Sequence, residues 1–436
     1  LADLLRDDAL RAAEPRRDEG LGLRADGTAK SVVFLFMGGG PSQVDTWDPK
    51  PILQRLNGQD VPESIGRHVP RIARSPLTNL FASPYRFRQR GRSGIPVSEL
   101  FPHLGECVDD LCILRSCRHE SPIHAPAEYL ATTGTQIGDR PSLGSWITYG
   151  LGSENRNLPA FIVMKAGETG RPPAWSAGFL PARFQGTMVE TAGIPNVRLP
   201  EGTTLRDRQA QLDLIEGLNE RHRALAPSSE LEARIRSYEL AFRMQTSAPE
   251  AFDLTRETRP TLDLYGIGAP DTTEFGTMCL LARRFVERGV RFIQLRHGGW
   301  DAHGNLAANH TPQCLKTDRP IAGLLTDLKR RGLLDDTLVV WMGDMGRTPR
   351  INRDAGRDHW SFCYSILLAG GGIRGGQTYG SSDRAAAYPS SNPVSPADIA
   401  ATIYHCLGIN PRAHFNDQQG RPLVASSGDV IRGLLA

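Results

Sequence analysis

Six short apolar runs, each the length of a β-strand, constrain the fold of this chain most strongly. They are nearly continuous rather than alternating, which is typical of parallel strands covered on both faces. The runs are SVVFLFM (31–37), LCILRS (111–116), AFIVMK (160–165), VRFIQLR (290–296), TLVVWMGD (337–344) and YSILLAG (364–370). Helical patterns at 274–289 and 318–334 precede the fourth and fifth runs. This order predicts an α/β fold with a doubly wound, mostly parallel sheet flanked by helices, and a site at the carboxyl ends of the strands.

The segment from about 170 to 270 interrupts the alternation. It is rich in Pro and Gly at first and then carries two long polar helix patterns, RDRQAQLDLIEGLNERHRALA and SELEARIRSYELAFRMQ. We predict a helical insertion that lies against the sheet or over its mouth, with a structural spacer as an equal alternative. The chain then comprises an N-terminal segment over 1–30 and one large domain over 31–436 that contains the insertion.

Composition excludes several classes of function. The 436 residues include 39% hydrophobic and 23% charged side chains, enough for a large buried core. The 51 basic and 48 acidic residues leave a net charge of +3, so no strong field attracts nucleic acid or a membrane surface. No apolar run approaches the roughly 18 residues that span a bilayer. We expect a small or exposed substrate, no nucleic-acid partner and no membrane span, and the oligomeric state is left open.

The cysteines and the first residue give information about the cellular compartment of the protein. Seven cysteines are scattered along the chain without a C-x-x-C pair. This argues against a thiolate zinc site and a disulfide framework, although one or two bridges among Cys107, Cys112 and Cys117 fit the spacing. The chain opens on Leu1 in place of an initiator methionine, which fits either a cleaved export signal or a trimmed chain.

Acids and histidines cluster at the ends of the strand candidates. The first run is followed by Ser42, Asp45 and Asp48, and the second by His119, Ser121 and His124. The fourth run is followed by His297, Asp301 and His303, and the fifth by Asp344 and Arg347. Asp358 and His359, in GRDHW, come just before the sixth run. Because parallel strands direct these loops toward one edge, we expect distant residues to converge. Mixed carboxylate and imidazole ligands suit Zn²⁺, Mn²⁺ or Fe²⁺ better than Ca²⁺, which prefers oxygen ligands.

Structural interpretations compete with this one. Turn formation or a hydrogen-bonded core position explains Asp45, Asp48, Asp344, His119, His297 and His310 as an alternative to ligation. For Asp301, His303 and His359 the ligand role is favoured. No G-x-x-x-x-G-K-[ST] is present, so a nucleoside-triphosphate cradle is not expected.

Four motifs resemble a known family. FLFMGGGPSQVDTWDPKP, GGWDAHGN, GDMGRTP and GRDHW are similar to the DUF1501 proteins, a sulfatase-like group of the alkaline-phosphatase superfamily, from about residue 31 to the C-terminus. The closing SPADIAATIYHCLGINP also resembles the ending of sulfatases. There Ser395 is a good N-cap and Pro396 a good first helical residue. The apolar face of this helix is formed by Ile399, Ile403, Tyr404 and Leu407.

The resemblance implies one or two divalent cations at the strand ends. Zn²⁺ is favoured, with Mn²⁺, Ca²⁺ or Fe²⁺ as alternatives. Carried over residue by residue, the ligands are Asp45, Asp301, His303, Asp344 and His359. Met345 stands where the family pattern has a histidine, and this weakens the second ion unless His119 or His124 replaces it.

The nucleophile also departs from the family pattern. Relatives place Ser, Thr or Cys ten residues before the glycine that ends the helix, and counting back from Gly134 reaches His124. Attack by metal-bound hydroxide with His124 in support is our first mechanism, and covalent attack by His124 is the second. Ser121 is a weaker candidate nucleophile. Without a C-x-P-S-R sequence no formylglycine can form, so ordinary sulfatase chemistry is not expected.

The resemblance thus implies a metal-dependent hydrolase of phosphate or sulfate esters, or of a related anionic ester, on a small molecule or saccharide. For substrate binding we assign Arg347, His119 and Asn305; Arg347 could instead form an exposed salt bridge. An exported or periplasmic location is implied as well. The alternative is a catalytically inactive, metal-stabilised binding or assembly protein on the same fold, favoured by the missing nucleophile. A phosphomutase-like transferase is a further alternative.

Overall fold

A computed structural model describes residues 27–60, 80–155, 157–167, 172–193, 202, 204–225, 235, 244, 249–416 and 420–436. The predicted N-terminal segment lies outside the described residues except for 27–30. Most of the second helix pattern of the insertion, 229–245, lies outside them as well. The division of the chain into a domain and an insertion therefore stays a prediction.

Strands and helices alternate along most of the described chain. The strands are β1 (Ser31–Met37), β2 (Phe87–Arg90), β3 (Ile95–Ser98), β4 (Leu111–Cys117), β5 (Phe161–Ala166), β6 (Thr187–Met188), β7 (Phe292–His297), β8 (Thr337–Gly343), β9 (Gly346–Arg347), β10 (His359–Trp360), β11 (Tyr364–Ala369), β12 (Gln377–Tyr379), β13 (Ser381–Ser382), β14 (Pro389–Ser391), β15 (His414–Asn416) and β16 (Pro422–Val424). The α-helices are α1 (Gln43–Thr46), α2 (Pro51–Arg55), α3 (His124–Thr133), α4 (Leu143–Leu151), α5 (Leu205–Leu225), α6 (Arg259–Leu264), α7 (Thr273–Glu287), α8 (Leu306–Arg330) and α9 (Pro396–Cys406).

A mixed, mostly parallel sheet of eight strands is the centre of the fold, in the order β12-β4-β11-β8-β1-β7-β5-β6. It contains all six predicted runs, so the predicted α/β class with a doubly wound sheet is confirmed. β1 is parallel to both neighbours, with Val32 opposite Phe292 of β7 and Leu338 of β8. Two-stranded ribbons pair β2 with β3, β9 with β10, β13 with β14 and β15 with β16.

The sixth predicted strand departs from the parallel direction. β11 is antiparallel to both β4 and β8. A continuous apolar run shows that a strand is covered on both faces but not which way it points, so the sequence could not reveal this reversal. As a result Tyr364, at the start of β11, lies opposite Cys117, at the end of β4. The loop before β11 therefore reaches the same edge as the loops that follow β7 and β8.

Alternate side chains of the sheet enter two separate cores. Val33 and Leu35 of β1 pack in a core that includes the buried faces of α7 and α8. Val32 and Phe34 belong to the opposite core, which includes residues of α3, α4 and α9. Helices thus cover both faces of the sheet, which is why its strands are continuously apolar rather than alternating.

The starts of two helices, α9 and α8, can be compared with those predicted from the sequence. α9 has the predicted cap: Ser395 and Asp398 each accept the main-chain N–H of the other, forming a capping box. α8 begins at Leu306 rather than at 318, and it contains Pro312 and Pro320. Proline is most frequent in the first turn of a helix, so the pattern alone favours the later start. The buried face of α8 packs against the core and keeps the helix continuous.

Two smaller expectations concern cysteines and membranes. All seven cysteines are free, so the bridges considered among Cys107, Cys112 and Cys117 do not form. Within the part of the chain that the structure describes, no helix has both the length and the apolar character required to cross a membrane.

Candidate metal centre

Four side chains from three separate segments meet at the edge of the sheet where β7 and β8 end. Asp301 and His303 follow β7, His359 opens β10, and His124 is the first residue of α3. Ligand atoms of His124, Asp301 and His359 all lie within 4.8 Å of one another. The β9–β10 ribbon sets Arg347 opposite His359, and the reversal of β11 brings this ribbon to the site edge.

The tautomers of two histidines follow from their hydrogen-bond partners. His303 Nδ1 lies 3.0 Å from Asp358 Oδ1, and an ionised carboxylate only accepts, so Nδ1 carries the proton. His359 Nδ1 lies 2.9 Å from the carbonyl oxygen of Pro122, which also only accepts. Each neutral ring therefore presents the lone pair of its Nε2 to the cluster.

These lone pairs converge with a carboxylate. Nε2 of His303 lies 2.9 Å from Nε2 of His359. Asp301 Oδ1 lies 3.2 Å from the first nitrogen and 3.3 Å from the second. Three acceptors at these distances repel one another unless a cation or an extra proton lies among them. Deprotonated ligands oriented by hydrogen bonds from behind are what a divalent cation requires.

His124 adds a third imidazole. Its Nδ1 donates to Asp344 Oδ2, and the N–H of Gly39 donates to the other oxygen of that carboxylate at 3.1 Å. Its Nε2 lies 3.2 Å from Asp301 Oδ2, yet this buried nitrogen has no partner with hydrogen-bond geometry. Burial opposes charge on the ring, but the nearby carboxylates of Asp301 and Asp344 outweigh it and raise the pKa of His124 to about 9. With a cation on Asp301, the Nε2 lone pair becomes available.

Arg347 fixes Asp301 from the protein interior. It is fully buried, so the exposed salt bridge considered for it is wrong. Its nitrogens donate to Asp301 Oδ1 and to the carbonyl oxygens of Gly39, Gly40 and Arg357. These contacts occupy the guanidinium that was predicted to hold a substrate anion. Burial raises the pKa of Asp301, but the neighbouring His124, His359 and Arg347 side chains outweigh it and hold that pKa well below its usual range.

Two predicted ligands lie outside the converging set. Asp45 is fully buried and accepts from Arg357, with Nε at 2.8 Å from Oδ2 and Nη2 at 3.3 Å from Oδ1. Ser42 Oγ donates to the same carboxylate. Protein donors thus satisfy Asp45, which corrects its assignment as a ligand. Asp344 stands behind His124 as its hydrogen-bond acceptor rather than beside the other ligand atoms.

Three other predicted site residues form hydrogen bonds with main-chain groups instead. Ser121 is buried, and its Oγ lies 3.5 Å from a main-chain carbonyl two residues further on. His119 Nε2 donates to the main-chain oxygen of Asp344 at 2.6 Å, while its Nδ1 accepts from Ser121 N–H. Asn305 has a φ of 37° and caps α8 by accepting from Ala308 N–H at 3.2 Å. The structure supports positioning and capping for these residues, not nucleophilic attack or substrate binding.

Sequence reasoning missed the groups that orient the histidines. Asp358 was evident only as the neighbour of His359, whereas its carboxylate lies against His303. An acid next to a candidate ligand was the one available signal. The carbonyl of Pro122 orients His359. Every residue has a main-chain carbonyl, so the sequence does not indicate which one accepts this hydrogen bond.

The cluster opens to solvent on one side. The side chains of Asp301 and His303 are 43% and 42% exposed, whereas Asp358 and Arg347 behind them are buried. The donor set of imidazole nitrogens and a carboxylate fits Zn²⁺, Mn²⁺ or Fe²⁺. Among the described residues no second group of this kind occurs.

Comparisons with known proteins give a family match and several distant structural matches. A family model described as "Protein of unknown function (DUF1501)" matches residues 29–435. No curated protein matches the chain. Among solved structures, a phosphonate monoester hydrolase from Silicibacter pomeroyi is 11% identical with a TM-score of 0.38, over 92% of this chain and 76% of that one. A sulfatase from Pseudoalteromonas sp. is 12% identical with a TM-score of 0.37, over 92% of this chain and 70% of that one. The lipoteichoic acid synthase LtaP from Listeria monocytogenes is 10% identical with a TM-score of 0.36, over 94% of this chain and 79% of that one. At these identities and scores, function has to be argued from the side chains of this chain.

Proposed function

This chain belongs to the DUF1501 family, and we propose that it is a metal-dependent hydrolase of phosphate or sulfate esters, or of a related anionic ester. The observation that carries the proposal is the convergence of acceptors, with Nε2 of His303 and His359 2.9 Å apart beside Asp301 Oδ1. Such a set is stable only around positive charge. Its opening to solvent supports contact with a substrate.

The side chains that would hold the cation are Asp301, His303 and His359, and His124 lies close to Asp301 and His359 beside them. A bound divalent cation supplies Lewis acidity toward an ester oxygen and toward water. The protein contributes orientation, because each ligand ring or carboxylate is fixed by a partner behind it.

His124 is placed to move a proton. Asp344 holds its Nδ1–H, so Nε2 is the atom left to take a proton from an attacking group or to return one to the leaving oxygen. His124 also begins α3, where the positive end of the helix dipole favours an anionic ester. Direct attack by Nε2 on phosphorus is the second mechanism.

The second candidate function is metal-stabilised binding or assembly without turnover. The observation in its favour is that His124 occupies the first position of α3, where the related pattern has a hydroxyl or thiol. A shared fold does not decide between the two candidates, because function resides in the site.

Substrate and location extend the proposal. We propose a small-molecule or saccharide ester as the substrate and an exported location, both supported by the motif resemblance alone. Fractionation of cells that make the natural protein tests the location; recovery only with cytoplasmic markers would contradict it.

A metal and turnover experiment tests the proposed activity. Protein treated with chelator is reloaded with Zn²⁺, Mn²⁺, Fe²⁺ or Ca²⁺ and assayed on chromogenic phosphate and sulfate esters. His303→Ala and His124→Ala are the test variants, and His222→Ala, at an exposed helix position, is the control. We expect cation-dependent turnover that His303→Ala abolishes and His124→Ala strongly reduces. Tight metal binding without turnover would favour the binding protein, and turnover that survives chelation and His303→Ala would overturn the metal mechanism.

A further inference from the structure

The loop 352–358 packs closely against the backbone of His303. The main chain pairs at two points, where Asn305 N–H donates to the carbonyl of Asp354 at 2.8 Å and Arg357 N–H donates to that of Ala302 at 2.9 Å. A Cβ on Gly356 would overlap the main-chain carbonyl of His303. Only glycine permits this approach, so the loop is fitted to the position of this one ligand.

Asn352 ties the loop to His303 through its amide. Its Nδ2 lies 2.8 Å from the main-chain oxygen of His303 and 3.0 Å from Asp358 Oδ1. Its Oδ1 accepts from the N–H groups of Asp354 and Gly356 at 3.0 and 2.9 Å. One side chain therefore holds the loop, the backbone of His303 and the Asp358 carboxylate in a fixed relation.

Asp358 completes the arrangement at the imidazole. It is 7% exposed, and its Oδ1 accepts from both His303 Nδ1 and Asn352 Nδ2. Because the carboxylate only accepts, this contact allows one neutral tautomer of His303, with the lone pair on Nε2. The same nitrogen faces His359 and Asp301.

We propose that loop 352–358 is a positioning element for His303, in which Asp358 and Asn352 fix the tautomer and direction of the imidazole so that Nε2 faces the cation. This inference rests on the proposed metal role of the cluster. Asp358 acts through His303, because its carboxylate contacts Nδ1 whereas Nε2 of the same ring faces the cluster. Hydrogen-bond acceptors behind metal-binding histidines raise metal affinity by fixing the ring and its proton.

The test combines Zn²⁺ affinity with a direct view of the tautomer. Full-length wild type, Asp358→Ala and Asp358→Asn are titrated with Zn²⁺ against a chromophoric chelator. The metal-free proteins are compared by ¹H–¹⁵N NMR of the histidine rings, in which His303→Ala identifies the His303 signals. Asp354→Ala is the matched control, since that acid lies in the same loop with an exposed side chain.

We expect Asp358→Ala to weaken Zn²⁺ binding by about 10- to 100-fold and to populate the tautomer with the proton on Nε2. Asp358→Asn keeps an acceptor oxygen and should retain the wild-type tautomer with a smaller loss. Unchanged affinity and tautomer in Asp358→Ala would overturn the inference and leave the proposed function standing. Failure of the wild type to bind any cation would instead remove the proposed function. If Asp358→Ala does not fold, Asp358→Leu fills the same space without an acceptor and is judged by the same two outcomes.

Discussion

Nε2 of His303 and Nε2 of His359 lie 2.9 Å apart although the two residues are 56 positions apart in the chain. Each ring has its Nδ1–H directed at an acceptor on its far side, so the facing atoms are both lone pairs. The protein fixes this unfavourable contact with a buried carboxylate on one ring and a carbonyl on the other. Rings held in this way have the orientation that a bound cation would require.

Removal of either ring should weaken metal binding. For His359→Ala and His303→Ala we expect losses of Zn²⁺ affinity larger than the roughly 10- to 100-fold that follows loss of a partner behind a ligand. Competition with a chromophoric chelator measures the effect. The exposed His222→Ala should bind as the wild type does. Equal affinity in all four proteins would show that the cation binds elsewhere.

Asp45→Asn should destabilise the protein without changing metal affinity. The substitution leaves the buried guanidinium of Arg357 without its counter-charge, and breaking a buried pair costs about 3–5 kcal/mol. Urea unfolding measures the loss, and the exposed Asp60→Asn should remain within about 0.5 kcal/mol of wild type. A large fall in Zn²⁺ affinity with normal stability would restore Asp45 as a ligand.

Ser121→Ala should leave turnover nearly unchanged. The hydroxyl of Ser121 is buried and lies against a main-chain carbonyl rather than in the cluster. We expect kcat/KM within roughly twofold of wild type, which corresponds to about 0.4 kcal/mol. Steady-state kinetics on whichever ester the wild type hydrolyses measures this. A loss comparable to that of His124→Ala would identify Ser121 as the nucleophile after all.

Stability should fall in acid in part because of His310. Its Nε2 accepts from Ser42 N–H at 2.9 Å, and burial, opposed by nearby Asp45, lowers its pKa to about 3. A depressed folded-state pKa means that stability is fully present above about 6.5 and is lost as pH falls toward 3. The loss from this group reaches roughly 3 kcal/mol by pH 4.

The variant His310→Gln isolates that contribution. Chemical unfolding between pH 7 and 4 should show a shallower decline for the variant, by up to about 1.4 kcal/mol per pH unit, the slope for one proton. His297, whose pKa burial lowers to about 4, remains and keeps part of the decline. Parallel stability curves for wild type and variant would contradict a neutral buried His310.

The sequence determined the elements that local chemistry specifies. Apolar runs gave the strands of the sheet because a strand covered on both faces needs apolar side chains at every position. The pair Ser395 and Pro396 marked the start of α9 because capping acts within one turn. Asp301, His303 and His359 were recognisable as candidate ligands by residue type and by their place beside strand ends.

Only the tertiary structure decided which of those polar residues meet. The direction of β11 set where Asp358 and His359 lie, and strand direction depends on partners distant in the chain. Arg357 forms an ion pair with Asp45, and the buried Arg347 forms one with Asp301. Both pairs form because a buried charge is costly unless an opposite charge lies next to it. Residue type therefore determined what each side chain could do, and long-range packing determined which of them acts on the shared site.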